Sequence, residues 1–484
     1  MASLKKNILY SVAYQILVII LPLITAPYIS RVLGAEGIGE YSYSQSVAYY
    51  FILMAMLGIA QQGNRSIAET HNNKNERSER FINLYTIQVV THVIAITVYV
   101  FYLICMVGST SVLAWIQLIY IISSLFDISW LFFGMEQFEI TVTRNTIIKI
   151  LTVVLIFIFV KEENDLWKYA VILVVGTLIS QIYLWMYIKR YVFWVPPKWN
   201  QIKMQIRPIL VLFIPVLAYS IYKVMDKIML GSMADFKQVG YYENAYKINN
   251  IPIGLITAVG NVMLPRMTAV ISSGKKEAGL HYIKSSFMMI NFVAIAMVFG
   301  IAGVSANFVN VYYGPGYTPC INLIMCLNWT VFFIAWANIM RTQYLIPKKK
   351  DTIYVKSTII GAVVNLVLNI ILIGHFQAMG AAIGTFFAEF TVMFVQMYYL
   401  RRELPIWKYI VQSIPYYLVG ILMMMVTRII GEFMKAGILA LVIQIFVGAT
   451  IFFICSFVVA YRRKDDIYKL FVNPLARKIC SIRI

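Results

Sequence analysis

The sequence predicts an all-α integral membrane protein of about fourteen transmembrane helices, arranged as two pseudo-symmetric six-helix lobes followed by two additional C-terminal helices. Three observations lead there. The 484 residues are 61% hydrophobic and 13% charged, far from the roughly 45–50% apolar and 25% charged make-up of soluble domains. Apolar stretches of about 20 residues, the length that crosses a hydrocarbon core of about 30 Å, recur along the chain. Lys and Arg also alternate in abundance from one connecting loop to the next, as expected of a polytopic protein that obeys the positive-inside rule.

The first expected span, 8–33, is longer than the apolar core of a signal peptide, holds Pro22 and Pro27 and lacks a small-residue cleavage site, so it is read as a retained helix. The helix-breaking stretch 33–39 leads into the second span, 41–62, and four more follow at 81–107, 111–134, 145–160 and 169–189. The second set runs 208–231, 241–264, 285–311, 321–346, 353–373 and 380–400, and the added pair is 409–430 and 437–460. The expected domains are therefore 1–190, 208–400 and 409–460, with a tail at 461–484. That tail mixes Arg and Lys with Ile467, Leu470, Phe471, Leu475 and Ile479 and reads as an amphipathic surface helix broken near Pro474.

With Lys5 and Lys6 on the cytoplasmic side, alternate loops carry Arg65, Lys74, Arg77 and Arg80, then Lys189, Arg190, Lys198, Lys203 and Arg207, then Lys275, Lys276 and Lys284. Lys348 to Lys350, then Arg401, Arg402 and Lys408, and finally the tail continue the series, whereas the intervening loops hold only Lys161, Lys168, Lys237 and Lys435. Both termini are thus expected in the cytoplasm, in the cell membrane. The net charge of +20 reports topology and not nucleic acid, since the cations are scattered over short loops. The five cysteines and four histidines show no metal or redox spacing, and no cofactor is expected.

A faint internal repeat accompanies the spans. Pro22-Leu23, Leu33-Gly34, Ile38-Gly39 and Tyr41 recur as Pro215-Val216, Leu230-Gly231, Val239-Gly240 and Tyr241, and Trp130 can be laid over Trp336. Six spans separate the copies, so both keep one orientation and are related by an axis along the membrane normal.

Ionisable groups inside spans are costly and therefore mark function by default. The set comprises Arg31, Asp127, Lys223, Asp226, Lys227, Glu243, Lys247, Arg341, Glu389 and Arg428. Lys223 and Lys227 share a helix face, and Glu243 and Lys247 form an i,i+4 pair; either reading, register-fixing ion pairs or ligand-binding groups, is open on the sequence alone. Cations suit a phosphorylated ligand, while Asp127, Asp226, Glu243 and Glu389 are candidates for a coupling ion. Pro22, Pro27, Pro215 and Pro252 are expected to bend or break their helices. No phosphate-binding G-x-x-x-x-G-K-[ST] loop is present, because Gly274-Lys275-Lys276 lacks both spacing and hydroxyl, so ATP hydrolysis is not expected. A membrane glycosyltransferase or polymerase would use acidic groups in a sizeable outer loop, where this chain offers only Glu162, Glu163 and Asp165.

The opening run from Pro22-Leu23-Ile24-Thr25-Ala26-Pro27 to Arg31-Val32-Leu33-Gly34, with Gly63-Asn64-Arg65-Ser66, resembles Wzx-type polysaccharide flippases. So do Asp226-Lys227-Ile228-Met229-Leu230-Gly231, Ala245-Tyr246-Lys247, Leu264-Pro265-Arg266-Met267, and Asn365 with Asn369. The resemblance implies membership of the multidrug/oligosaccharidyl-lipid/polysaccharide exporter superfamily, with two lobes around a cationic cavity. It implies a non-enzymatic transporter that moves undecaprenyl-pyrophosphate-linked oligosaccharide to the outer leaflet for capsule, O-antigen or exopolysaccharide synthesis. Membrane lipids, the polysaccharide polymerase and the chain-length machinery are the implied partners. Arg31, Arg65 and Arg266 become candidates to hold the pyrophosphate beside Lys223, Lys227, Lys247 and Arg341. A multidrug/cation antiporter of the same superfamily is the alternative.

Overall fold

The computed structural model describes residues 20–70, 73–107, 111–274 and 276–468, and the described residues contain helices and no strand. In order these are α1 (Ile20–Val32), α2 (Gly34–Met56), α3 (Ile59–Ala68), α4 (Lys74–Tyr102), α5 (Val112–Leu125) and α6 (Ser129–Gly134). Then come α7 (Phe138–Phe159), α8 (Leu166–Trp185), α9 (Ile188–Tyr191), α10 (Trp199–Met233), α11 (Phe236–Ser272) and α12 (Lys276–Tyr312). The last are α13 (Pro319–Asn328), α14 (Thr330–Met340), α15 (Asp351–Leu400), α16 (Ile406–Phe433) and α17 (Ile438–Arg463).

Polarity is distributed the opposite way from a soluble protein. Helix α17 turns Leu439, Val442, Phe446 and Phe453 outward while burying Gln444, Gly448 and Ser456. Helix α4 exposes Val90, Ile94 and Phe101 and buries Gln88 and His92. Apolar outside with small and polar residues at helix contacts is the pattern of helices solvated by lipid tails, where packing and interhelical hydrogen bonds drive association. The protein is a multi-pass membrane protein.

Among the described residues eleven helices are long and apolar enough to cross a membrane, or twelve if the pair α2 and α3, bent by 42°, is one span. This differs from the expected fourteen for identifiable reasons. The first expected span lies partly outside the described residues, leaving the short apolar α1. Helix α15 merges the expected 353–373 and 380–400 spans, and its 50 residues would reach about 75 Å, far beyond one bilayer crossing. It is interrupted at Gln377 (φ 50°, ψ −130°), a conformation that L side chains rarely adopt. The expected tail begins as a continuation of α17 and then folds back, with Ile467 buried in the core and the Asp465 carboxylate accepting from the Tyr416 hydroxyl at 2.8 Å. Its residues 469–484 lie outside the described ones.

Of the prolines expected to bend or break their helices, Pro215 and Pro252 do not break them: α10 runs through Pro208 and Pro215, and α11 through Pro252 and Pro265. The breaks fall elsewhere, at Leu57 (φ 46°) between α2 and α3, between α5 and α6, and at Trp329 between α13 and α14.

The chain divides into two compact units, Met1–Glu243 and Asn244–Ile484. In the first, α2 packs on α4, α5 and α10, and α8 covers α5 and α7. The α5–α6 break is held by Gln88, whose amide donates to the carbonyls of Ser124, Leu125 and Asp127 and whose oxygen accepts from the Trp130 indole at 3.2 Å. In the second, α12 is the central helix, contacting α13, α14, α16 and α17. Gly303 lies against the Thr427 hydroxyl and Gly420 against the Phe299 ring, so the last two helices belong to this unit's core. Here the Trp336 indole donates to the Asn291 side-chain oxygen at 3.3 Å. Each unit thus contains a broken span whose following tryptophan is anchored to a side-chain amide on a neighbouring helix, at the two tryptophans that the repeat aligns.

Candidate functional site

In the first unit four of the intramembrane charges gather on one seam. Helix α10 ends at Met233 and α11 starts at Phe236, with the Asp235 carboxylate accepting from the Gln238 amide at 2.8 Å to cap the turn. So tight a reversal sets α10 beside the start of α11, and residues at matching heights meet. The Tyr242 hydroxyl donates to Asp226 at 2.6 Å, and the Lys227 ammonium lies 3.1 Å from the Glu243 carboxylate. Asp226 and Tyr242 are buried, and the side chains of Lys227 and Glu243 are each 16% exposed. One turn earlier, Lys223 lies over the Tyr219 ring at 6.0 Å, and Tyr50 of α2 donates to the Ser220 carbonyl at 3.2 Å. Two lysines and two acidic residues thus lie along the seam.

Helix α2 reaches this seam through glycines. A Cβ on Gly39 would stand 1.6 Å from the Phe236 carbonyl oxygen, and one on Gly240 would stand 1.8 Å from that of Ala35. Each glycine touches the carbonyl one helical turn before the other, so the crossing is reciprocal about a local two-fold. Only glycine permits backbones this close. The crossing uses the Ile38-Gly39 and Val239-Gly240 copies of the repeat. Beside it Gly231 accepts the Tyr43 ring, which also lies 5.4 Å from that of Phe236.

The other candidates stand apart from the seam or in the second unit. Arg31 is an exposed residue of α1. Arg65, on the exposed end of α3, lies 3.7 Å from Glu69, which also holds Arg80 at 2.7 Å. Asp127 occupies the α5–α6 break, where its carboxylate accepts from the Ser129 amide at 2.9 Å. In the second unit Lys247 is half-buried on α11 and Glu389 is buried on α15. Arg266 stacks on the Tyr282 ring at 4.4 Å and donates to its hydroxyl at 2.8 Å. Arg341 opens the π-helical turn Arg341–Leu345 and lies 5.3 Å from the Tyr354 ring. Arg428 points to the Ala302 carbonyl at 3.5 Å and the Met325 sulfur at 3.2 Å.

Sequence reading missed two buried groups. Arg144 of α7 is 5% exposed and donates to the Ser180 carbonyl at 2.9 Å and to Gln181 at 3.2 Å. His92 is fully buried between the Gln88 carbonyl (2.7 Å) and the Ser124 hydroxyl (2.9 Å). Among the described residues no three His, Cys, Asp or Glu side chains converge as a metal site would require.

Comparison with known proteins places this architecture. The sequence pattern of the family described as "Polysaccharide biosynthesis protein" matches residues 4–271, more than half of the chain. The chain belongs to this family. Over 409 residues this family member is 22% identical to the "Putative O-antigen transporter" of Escherichia coli K12, covering 83% of this chain and 97% of that one. It is 24% identical over 233 residues to "Lipid II flippase MurJ" of Bacillus subtilis, which covers 45% of this chain and 43% of that one. Among solved structures it superposes on lipid II flippase MurJ in an inward closed conformation with a TM-score of 0.78 at 15% identity, over 95% of this chain and all of the other. An inward-facing MATE-family multidrug transporter of the MOP superfamily gives 0.56 at 14% identity, over 81% and 99%. This polysaccharide biosynthesis family member shares its fold with these two solved proteins.

Proposed function

We propose that this protein moves an undecaprenyl-pyrophosphate-linked oligosaccharide from the inner to the outer leaflet of the cytoplasmic membrane by alternating access, with both termini in the cytoplasm and residues 1–190 and 208–400 acting as its two lobes. The family match to polysaccharide biosynthesis proteins, together with a near full-length relative named an O-antigen transporter, supports the reading most directly. The α10–α11 seam suggests how the headgroup is held. A pyrophosphate arriving beside Lys223 and Lys227 competes with Asp226 and Glu243 for the two ammonium groups, and a proton or cation held by those carboxylates on the return step is the candidate counter-ion for antiport. Arg31, Arg65, Lys247, Arg266 and Arg341 supply further cationic stations along the path, and Asp127 and Glu389 further coupling positions. Assembly with a polymerase and chain-length machinery belongs to the same proposal, as does use in capsule, O-antigen or exopolysaccharide synthesis.

Membrane potential favours this direction of transport, since about two negative charges moving outward gain roughly 4–5 kcal/mol per 100 mV. The test is flipping of a fluorescent polyprenyl-pyrophosphate oligosaccharide in proteoliposomes. Flipping is expected to speed up with an inside-negative potential and to slow when voltage and ion gradients are both collapsed; a rate indifferent to both contradicts the mechanism. The multidrug-antiporter alternative, favoured by the MATE-like fold and the two seam carboxylates, predicts instead export of organic cations from the same vesicles.

A further inference from the structure

At one end of the second unit, three connecting segments converge on a pocket that the transport reading does not use. Its wall is apolar, formed by Met267 and Ile271 from the last turns of α11 and by Leu280 and Ile283 from the first turns of α12, and it borders an open-sided cavity of about 170 Å³. Its rim is polar, with a buried tyrosine beside partly exposed charged groups. The Tyr344 side chain, 4% exposed, donates its hydroxyl to Glu403 and accepts from the Lys348 ammonium at 2.6 Å. The same ammonium lies 4.0 Å from the Tyr344 ring centre, and Lys350 binds the other Glu403 oxygen. Two lysines thus meet one carboxylate at the rim. Contacts that already restrain Lys348 and Lys350 lower the entropy lost when a further anion is bound.

An apolar wall joined to a cationic rim selects an amphiphile. A free phosphate gains nothing from Met267, Ile271, Leu280 and Ile283, and a neutral lipid gains nothing from the lysines. The alternation of basic loops assigns the α11–α12 turn and the segments 346–350 and 401–405 to the cytoplasmic side, at the level where spans leave the membrane. We propose that this pocket binds an anionic phospholipid of the inner leaflet, one acyl chain lying along the α11–α12 wall and its phosphate meeting Lys348 and Lys350. Such a lipid ties the α11–α12 turn to the segment before α15 and makes the stability of this end of the unit depend on leaflet composition. This site is independent of which substrate the protein transports.

The test is thermal unfolding of the full chain, purified in a neutral detergent, with phosphatidylglycerol, phosphatidylcholine of the same chains, glycerol phosphate, or undecaprenyl phosphate. Phosphatidylglycerol is expected to raise the melting temperature saturably, and phosphatidylcholine and glycerol phosphate to leave it unchanged. With about 1 kcal/mol attributed to each lysine near an anionic headgroup, Lys348→Gln with Lys350→Gln is expected to weaken the apparent affinity roughly 30-fold. Leu280→Trp fills the apolar part, leaves the Glu403 contacts in place, and is expected to abolish the shift. Lipid retained in native mass spectra gives the same readout for any variant whose melting temperature falls. Equal shifts from the neutral lipid, or retention of phosphatidylglycerol by both variants as in the parent, overturn the proposal. So does a response to undecaprenyl phosphate without one to phosphatidylglycerol, which assigns the pocket to the transport path.

Discussion

Lys227 and Glu243 sit on neighbouring helices, 3.1 Å apart and mostly withdrawn from solvent, and a buried pair of this kind is far costlier to break than it is rewarding to form. Truncating Lys227 to Ala leaves the Glu243 carboxylate with a buried charge to redistribute, at about 3–5 kcal/mol. A large fall in melting temperature is therefore expected for Lys227→Ala, and substantial recovery for the exchange Lys227→Glu with Glu243→Lys; no recovery in the exchange would show that the pair is not what holds the seam. Glu403 offers a pH-dependent counterpart outside the spans. Hydrogen bonds from Lys350 first, and then from Tyr344, hold its carboxyl below its ordinary value of 4.5. A carboxylate depressed in the folded state stabilises above its unfolded pKa, and that contribution disappears as pH falls through the lower folded value. Acid melts from about pH 5 downward should therefore show the parent losing stability more steeply than Glu403→Gln, and parallel curves would contradict the assignment.

At the scale of the helices, the glycine crossing of α2 and α11 is the sharpest constraint. Gly240→Ala places a methyl 1.8 Å from a backbone oxygen that has no side chain to rotate away, so overpacking should cost at least about 1–3 kcal/mol. Gly374 of α15 faces open space instead, with nothing within 4 Å of where a methyl would stand, and there Gly→Ala should be neutral or stabilising by about 0.5–1 kcal/mol. Thermal melts of the two single variants decide it, and similar shifts for both would mean that the crossing is not tight. The repeat in which this crossing lies was legible because Ile38-Gly39 recurs as Val239-Gly240, but that the two copies meet was not. The ion pair was not, because helix periodicity pairs Glu243 with Lys247 and cannot see across the turn at 234–235 to Lys227. Arg144 escaped for a related reason: hydropathy starts the fifth span at Asn145, and the acceptors that make burial of Arg144 tolerable are the Ser180 carbonyl and Gln181, on another helix. Helix breaks were misplaced because prolines inside the membrane are accommodated in α10 and α11, whereas the interruption at Leu57 adjoins Gly58, where the α10 backbone at Ile209 comes close.

For the molecule as a whole, apolar helix exteriors, polar helix contacts and the family match make a multi-pass membrane protein of the polysaccharide biosynthesis family, and its cationic stations are proposed to escort a phosphorylated cargo. The most direct test is export of lipid-linked repeat units in cells lacking their own flippase, comparing the intact chain with Arg31→Ala and Lys227→Ala at matched abundance. The intact chain should restore surface polysaccharide, and each variant should lower the export rate by about tenfold or more, the loss of one charge-assisted contact of about 1.4 kcal/mol or greater. Export by both variants at the rate of the intact chain would contradict a cationic path.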